Sequence, residues 1–479
     1  MGVSSTGIYC RPVCPARPPR RDRCRFFDNA AAAERMGFRP CLRCRPELAP
    51  GSASMDAAAR VARAAAARIA EGALNGGSVD DLANEFAITG RQLRRVVERE
   101  IGVSPVALAQ THRLLLAKRL LTDTALPMTQ VAYASGFQSV RRFDALFQER
   151  YRLTPSALRS RVSADMGAEA ETISLTLGYR PPLAWNAMMK FMGSHATPGV
   201  EYVDGESYSR TIGIGDATGW IRVQPAQKAG RKAARISDAR SLRVDISVSL
   251  TPVVMPLLAK IRHTFDLDAD PSAIEDQLAA SGLKKLVRAR PGLRVPGTVD
   301  GFDLALRTVL GQQVSVRGAT TLAGRFAAQF GAAIATPDAR LQWGVPKAER
   351  VASASIEQLR ALGVTGKRAE SISALAKAVA SGALRIEPGV DVTDTMKQMI
   401  ALPGIGEWTA QYVAMRALRW PDGFPASDLW LRRAVGNMST PRLVKESARW
   451  APWRAYAAMH LWNGIAAGET ISMTGASAD

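Results

Sequence analysis

Two changes of period divide the chain. Between residues 56 and 162 apolar positions recur at helical spacing in an Ala- and Arg-rich stretch, and one pattern occurs twice. Ala83 and Ala87 are followed by Thr89 and by Leu93 to Val97; Ala132 and Gly136 are followed by Ser139 and by Phe143 to Phe147, with Ala132 lying 49 residues after Ala83. Each copy predicts a short helix, a tight turn at the Ala or Gly, and a second helix. The second helix starts at a Thr or Ser N-cap, whose hydroxyl accepts from a free N–H of the first turn. From Thr172 the period becomes two, in ISLTLGY (173–179), YSRTIGIG (208–215), WIRVQ (220–224) and LRVDISVSL (242–250), so strands are predicted to dominate up to about residue 250. Residues 254–470 return to helical spacing, punctuated by Pro291–Gly292, Pro296–Gly297 and Pro403–Gly404. The basic insert QKAGRKAAR (227–235) reads as an exposed hairpin tip.

Breaks of small and polar residues at 46–54 (PELAPGSAS) and 163–171 separate these stretches, giving four expected modules. A length of 479 residues agrees with that count at ~100–200 residues per domain. The net charge of +20 is unevenly spread: residues 1–161 carry 26 basic and 14 acidic residues, so the front third holds an excess of 12 positive charges. Such a field attracts polyanions, either nucleic acid or an anionic membrane surface. No stretch approaches the ~18 uninterrupted apolar residues of a membrane span, and the Arg-rich start has no apolar block of the signal-peptide kind. The expectation is a cytoplasmic, nucleoid-associated protein with nucleic acid as partner and no membrane. At 47% hydrophobic residues, global disorder is excluded.

All five cysteines lie between Cys10 and Cys44. In a reducing compartment such a cluster points to metal rather than disulfides. Cys10-x3-Cys14 and Cys41-x2-Cys44 form two close pairs, the layout by which two loops deliver four thiolates to tetrahedral zinc. In a module of only about 45 residues the metal would supply much of the folding free energy. Cys24 belongs to neither pair and reads as a small buried side chain. Spacing alone favours a plain zinc knuckle.

The wording around the ligands goes further. TGIYCRPVC (6–14) followed by GFRPCLRC (37–44) resembles the N-terminal domain of the Ada family of methyl-phosphotriester-repairing regulators. That resemblance implies one zinc on Cys10, Cys14, Cys41 and Cys44, with both structural and nucleophile-activating roles, and Cys10 as methyl acceptor. Arg11, Arg39, Arg43 and Arg45 are then placed to hold the DNA backbone. Methylation removes one negative charge from the cluster, worth ~0.4–1.7 kcal/mol per phosphate at ~10 Å for dielectrics of 80 to 20. Summed over several phosphates, this is a switch for DNA binding. Family members usually have about 30 residues before the TGIYC-like segment, so the expectation is either a true start upstream of Met1 or a clipped module.

LANEFAITGRQLRRVV (82–97) and VAYASGFQSVRRFDALF (131–147) resemble the two helix-turn-helix motifs of the AraC family, which commonly follow the Ada zinc domain. Arg91, Gln92, Arg94, Arg95, Gln138, Ser139, Arg141 and Arg142 fall in or beside the first turns of the second helices. Arg can pair with guanine edges, Gln with adenine, and the rest with phosphates. Either motif alone reads equally as ordinary helical packing; the duplication on a cationic segment favours DNA.

LPGIG (402–406) and the helix-like WTAQYVAMRAL (408–418) form a helix-hairpin-helix signature, in which Gly404 and Gly406 permit a tight turn that aims N–H groups at a phosphate. With FPASDLWLRRA (424–434), GFDLALRTVLGQQVSVRGA (301–319) and WAPWRAYAAMHLWNG (450–464), residues 172–470 resemble the AlkA-like 3-methyladenine DNA glycosylase II family. The resemblance makes Asp428 the catalytic carboxylate, although an Asp at a helix start is ordinarily an N-cap. It places Trp408, Tyr412 and Trp462 in an aromatic base pocket, although each reads alone as core. Trp408 stands where bifunctional members carry a lysine, which implies hydrolysis without strand cleavage. Gln313 stands where some members insert a leucine wedge. No cysteine follows Cys44, so no iron–sulfur cluster and no second, alkylguanine-type methyltransferase are expected. His112, His195, His263 and His460 show no ligand-like spacing and receive no chemistry.

The expected fold class is a multidomain, mainly α protein. It comprises a zinc-bound methyl-acceptor module (1–50), an all-α double helix-turn-helix domain (56–162), an α+β strand-rich subdomain (172–285) and an all-α helix-hairpin-helix glycosylase domain (286–470). The expected function is DNA alkylation repair and its regulation, on alkylated and promoter double-stranded DNA, with RNA polymerase as a further partner. Two alternatives remain at this point: a regulator whose glycosylase half is inert, or a glycosylase with a non-functional zinc module.

Overall fold

The computed structural model describes residues 1–11, 14, 16–27, 33–34, 36–44, 46, 57–162, 172–226 and 240–470. Arg45, the linker 163–171 and the expected hairpin tip 227–235 lie outside them. About 53% of the protein is helical. It divides into two compact units, residues 1–116 with 136–138, and residues 117–135 with 139–479.

The first unit begins with a small four-stranded sheet, β1 (Gly2–Val3), β2 (Ile8–Tyr9), β3 (Cys24–Arg25) and β4 (Arg39–Pro40), in the order β3-β1-β2-β4. Its described core is small: Tyr9, Ala33 and Phe38, with Phe27 set edge-on to Phe38 at 5.4 Å. Cys24 is half-buried, not buried as expected, because two-residue β3 is an edge strand; its Sγ donates to the Arg20 carbonyl at 3.3 Å.

The helices follow the expected pattern. Val79–Asn84 and Gly90–Ile101 form the first pair and Met128–Ala134 and Val140–Tyr151 the second. Thr89 and Ser139 are N-caps, accepting from the backbone N–H of Gln92 and Arg142. Ala87 (φ 53°) and Gly136 (φ 89°) make the left-handed turns. At position 136 glycine is also a packing requirement, since a Cβ there would lie 2.3 Å from the Asn75 side chain. The two second helices repeat the same sequence of buried and exposed positions, with Leu93 and Val97, or Phe143 and Phe147, facing in.

In the second unit five antiparallel strands, β5 (Thr172–Gly178), β6 (Glu201–Asp204), β7 (Ser207–Ile214), β8 (Ala217–Pro225) and β9 (Ser241–Ser247), take the order β5-β9-β8-β7-β6. Ile173, Leu175 and Leu177 alternate inward, as the period of two requires. The expected run of strands is interrupted by the helix Trp185–Ser194, whose buried Trp185, Met188, Met189 and Met192 recur at helical spacing. β9 stops at Ser247, and residues Val248–Val253 form a 3-10 turn containing Pro252, whose missing N–H cannot extend the ladder.

Beyond the sheet lie two apolar clusters. One joins Gly301–Leu310, Val316–Phe330, Gly366–Ala380 and Glu407–Arg416; the other joins Pro271–Leu278, Leu429–Ala434, Thr440–Ser447 and Arg454–Ala466. Tyr412 packs against both, which puts the seam between them at its ring.

Arg294, 2% exposed, ties the irregular connections together. Its guanidinium donates to the carbonyls of Asp266 (3.1 Å), Ala269 (3.0 Å), Pro182 (3.1 Å) and Arg180. Arg294→Leu strands these acceptors, and the expected loss of stability is at least about 3 kcal/mol. All nine tryptophans lie between Trp185 and Trp462, so the loss is to be read as an earlier thermal transition in tryptophan fluorescence, which sees this unit alone.

Candidate functional site

Four sulfurs meet at one end of the first unit. The Sγ atoms of Cys10, Cys14, Cys41 and Cys44 all lie within 4.8 Å of one another, and Cys14 and Cys41 are 4.0 Å apart. A tetrahedral metal with ~2.3 Å bonds to sulfur needs sulfurs ~3.8 Å apart, so the donor set fits zinc. Cys41 and Cys44 are buried; Cys10 and Cys14 are partly open. The Arg11 N–H points at the Cys44 sulfur (3.3 Å). Burial, with the neighbouring sulfurs, pushes the Cys10 thiol far above the usual range and Cys44 up to about 11. At Cys41 burial also acts upward, but N–H donors from Cys44 and Arg43 outweigh it and bring the thiol down to about 7. Thiols held protonated by burial and mutual repulsion are what a central cation relieves. Arg39 and Arg43 are exposed beside this cluster in sequence, and Arg11 is half-buried.

In the helix-turn-helix region Arg91, Arg94, Arg95, Arg141 and Arg142 are exposed. Three other named residues have structural duties as well. The Gln92 side chain accepts from the Thr89 N–H (2.8 Å) in a capping box, Ser139 caps its helix, and the Gln138 amide donates to the Asn75 carbonyl.

A cavity of about 550 Å³ in the second unit opens at the seam between the two apolar clusters. Asp428 reaches it from the N-cap of Leu429–Ala434. Its Oδ1 accepts from the backbone N–H of Trp430 (3.0 Å) and Leu431 (2.9 Å) and from Trp462 Nε1 (2.9 Å). Among the described residues its Oδ2 accepts from Trp408 Nε1, at 3.1 Å. Asp428 is the N-cap that an aspartate at a helix start predicts, and the same residue lines the cavity.

The rings that hold the carboxylate also line the cavity. Trp408 and Tyr412, one helical turn apart, stack at 5.3 Å and 8°, and Trp462 meets Tyr412 at 6.2 Å. Behind Tyr412 the buried Arg416 donates to the Tyr412 hydroxyl (2.8 Å) and to the Pro296 and Gly297 carbonyls (2.8 and 3.3 Å), and it lies over the Phe191 ring at 5.0 Å. Phe191, His195 and Arg416 complete the cavity, and none of the three was singled out in the sequence for this role. The only available signal was the apolar face of residues 185–194, which ends beside His195.

Gly404 (φ +74°) makes the hairpin turn, and a Cβ there would lie 2.0 Å from Ser371 Oγ. Gly406 is different: its φ is −96° and nothing crowds its Cβ position. Gln312 ties this hairpin to the turn before Val316–Phe330, donating to the Gly404 carbonyl (3.0 Å) and Thr409 Oγ1 (3.2 Å). Its neighbour Gln313 is exposed at φ 56°, and Val314, beside it, lines the cavity.

A cavity with a capped aspartate, an aromatic wall and an adjoining helix-hairpin-helix defines the glycosylase fold of that name, here on one chain with a four-cysteine module and a helix-turn-helix region. Family models agree: the metal binding domain of Ada matches residues 1–47, a helix-turn-helix domain 82–161, the AlkA N-terminal domain 174–300, and the HhH-GPD superfamily of base excision DNA repair proteins 306–445. The chain is 38% identical over 473 residues to the probable bifunctional transcriptional activator/DNA repair enzyme AlkA of Mycobacterium tuberculosis, covering 97% of this chain and 92% of that protein. The chain belongs to this family of bifunctional AlkA/Ada-type proteins. It is also 35% identical over 287 residues to DNA-3-methyladenine glycosylase 2 of Escherichia coli, covering 60% of this chain and 96% of that one. The solved 3-methyladenine DNA-glycosylase from Archaeoglobus fulgidus shares the fold, with a TM-score of 0.51 at 20% identity over 60% of this chain and 97% of the other. The helix-turn-helix and glycosylase domains make DNA the partner. No helix among the described residues is long and apolar enough to cross a membrane.

The bonding of Asp428 predicts how its variants fold. Asp428→Asn keeps the cap but sets an amide N–H against the Trp408 Nε1 donor, so it is expected to lower the fluorescence-detected unfolding midpoint, though less than Asp428→Ala, which also loses the cap, worth about 1–2 kcal/mol.

Proposed function

We propose that this protein repairs alkylated DNA in two chemically separate ways and couples one of them to transcription. The observation that carries the excision reading is the Asp428 carboxylate, held by Trp408 and Trp462 in the wall of an aromatic cavity.

Alkylation at a purine ring nitrogen makes the base cationic and a better leaving group. Flipped out of the duplex, it lies against the electron-rich faces of Trp408, Tyr412 and Trp462, which favour a cation over a neutral base. As the N-glycosidic bond breaks, its electron pair leaves with the base and positive charge builds on the sugar. Asp428 stabilises that charge, orients the water whose oxygen then bonds to the anomeric carbon, and accepts the proton that the water gives up. The products are a free base, such as 3-methyladenine or 7-methylguanine, and an abasic site. Trp408 has no amine with which to attack the sugar, so the strand is left uncut. Gly404, Gly406 and Gln313 contact the DNA backbone and the gap left by the base.

At the other end Cys10, Cys14, Cys41 and Cys44 hold one zinc, which when bound keeps the sulfurs as thiolates near neutral pH. Cys10, partly open to solvent, attacks the methyl carbon of a phosphotriester. A sulfur–carbon bond forms, the carbon–oxygen bond breaks, and the oxygen leaves as an ordinary phosphodiester. No group restores the cysteine, so each chain reacts once. The lost negative charge strengthens DNA binding by the exposed arginines of the helix-turn-helix region, which addresses promoter DNA and, through it, RNA polymerase in the cytoplasm.

Wild-type protein is expected to release 3-methyladenine from methylated DNA, and Asp428→Asn to slow release at least about a hundredfold while remaining folded; release at the wild-type rate excludes Asp428 from the chemistry. Purified protein is expected to carry about one zinc per chain by elemental analysis, lost in Cys14→Ala. With radiomethylated DNA, one label per chain should end on Cys10, and Cys10→Ala should abolish that label without affecting base release. Unchanged DNA affinity after methylation of Cys10 would refute the switch.

A further inference from the structure

The excision reading gives no task to His195, one of the polar groups that line the cavity. His195 lies just past the helix Trp185–Ser194, with its ring stacked on Phe191 at 4.3 Å. The stacked and paired groups run without a break from Trp408 through Tyr412 and Arg416 to Phe191 and His195. His195 therefore belongs to the same cavity as Asp428.

Its tautomer is set by its neighbours. Nδ1 lies 2.8 Å from the Phe191 carbonyl oxygen, which can only accept, so Nδ1 carries the proton. Ser194 Oγ, 3.0 Å from the same nitrogen, itself donates to that carbonyl at 2.9 Å. Nε2 has no hydrogen-bond partner among the described residues and is not among the fully buried polar atoms left without one, and the residue lines the cavity. Burial, with the charges of Arg416 and Arg307, lowers the imidazole to about 4, so it is neutral at physiological pH. A neutral ring does not repel a cationic base, and its free nitrogen offers a lone pair and no proton.

We propose that His195 is a specificity-determining residue whose Nε2 accepts a hydrogen bond from an N–H of the flipped base, so the cavity favours purines that carry such a hydrogen on the edge remote from the sugar. This rests on the glycosylase reading and adds a substrate rule to it. 3-Methyladenine offers its exocyclic amine, and 7-methylguanine and hypoxanthine offer N1–H. 1,N6-Ethenoadenine, whose added third ring bridges N1 and N6, offers none. A base lacking the hydrogen leaves Nε2 desolvated and unpaired, the situation in which hydrogen-bonding sites discriminate most strongly.

The test uses full-length protein and duplexes with a single hypoxanthine or a single 1,N6-ethenoadenine, and reads single-turnover excision rates. In His195→Phe, which keeps a ring against Phe191, the hypoxanthine-to-ethenoadenine rate ratio is expected to fall about tenfold relative to wild type. In His195→Gln, which restores an acceptor, much of the ratio should return. His195→Ala serves as a second variant if the phenylalanine protein melts early by tryptophan fluorescence. An unchanged ratio in a folded variant overturns the proposal while leaving the glycosylase reading intact. Absence of any base release by the wild type, from methylated DNA as well as from these duplexes, removes that reading and the proposal with it.

Discussion

Four N–H groups converge on the carboxylate of Asp428, and the architecture of the second unit serves that convergence. Two come from the first turn of the helix that Asp428 caps, one from Trp408 and one from Trp462. The two indoles stand on helices that belong to different apolar clusters, so the carboxylate is held only where the clusters meet. Hydrogen bonds to a charged acceptor are each worth roughly 1.5–3 kcal/mol, and together they fix a side chain that would otherwise sample several rotamers. An anion so placed has little freedom to reorganise as positive charge develops beside it, which is the condition for effective electrostatic stabilisation.

Around this centre the charges are deliberately unequal in freedom. Arg416 has three bonds to the protein and its position over Phe191 and Tyr412 to hold it. Arg307 is paired with Glu201 at 2.7 Å and with Asp303 at 3.5 Å. Burial acts to raise the Glu201 carboxyl, but Arg307 and Arg210 outweigh it and hold it at about 2. Arg307 thus has carboxylate partners, whereas Arg416 is held by carbonyls, a hydroxyl and ring faces and has no carboxylate partner among the described residues.

The chemistry-bearing positions were more legible in the sequence than the walls that surround them. Cysteine spacing, the LPGIG turn and the aspartate before a helix are local patterns, and each could be read without knowing what lies across the fold. The paired helices with Thr89 and Ser139 as caps were visible for the same reason. The helix Trp185–Ser194 was obscured because it sits within a run of alternating strands and is only ten residues long. His195 was passed over because a lone histidine has no spacing to betray it; its role comes from Phe191, Arg307 and Arg416, the arginines more than a hundred residues away in sequence. The double bonding of Trp408 and Trp462, as ring walls and as N–H donors to one carboxylate, is likewise a property of three distant segments.

The distribution of sulfur nucleophiles has its own meaning under chemical attack. Every cysteine lies within the first 44 residues, and the 435 that follow contain none. Electrophiles and oxidants that reach a cell act on thiols as well as on nucleic acid, and thiolates react first. A flood of such reagents can therefore exhaust the front module outright, whereas the glycosylase domain has no thiol to lose. The chain carries an expendable fuse at one end and a tool that outlasts it at the other.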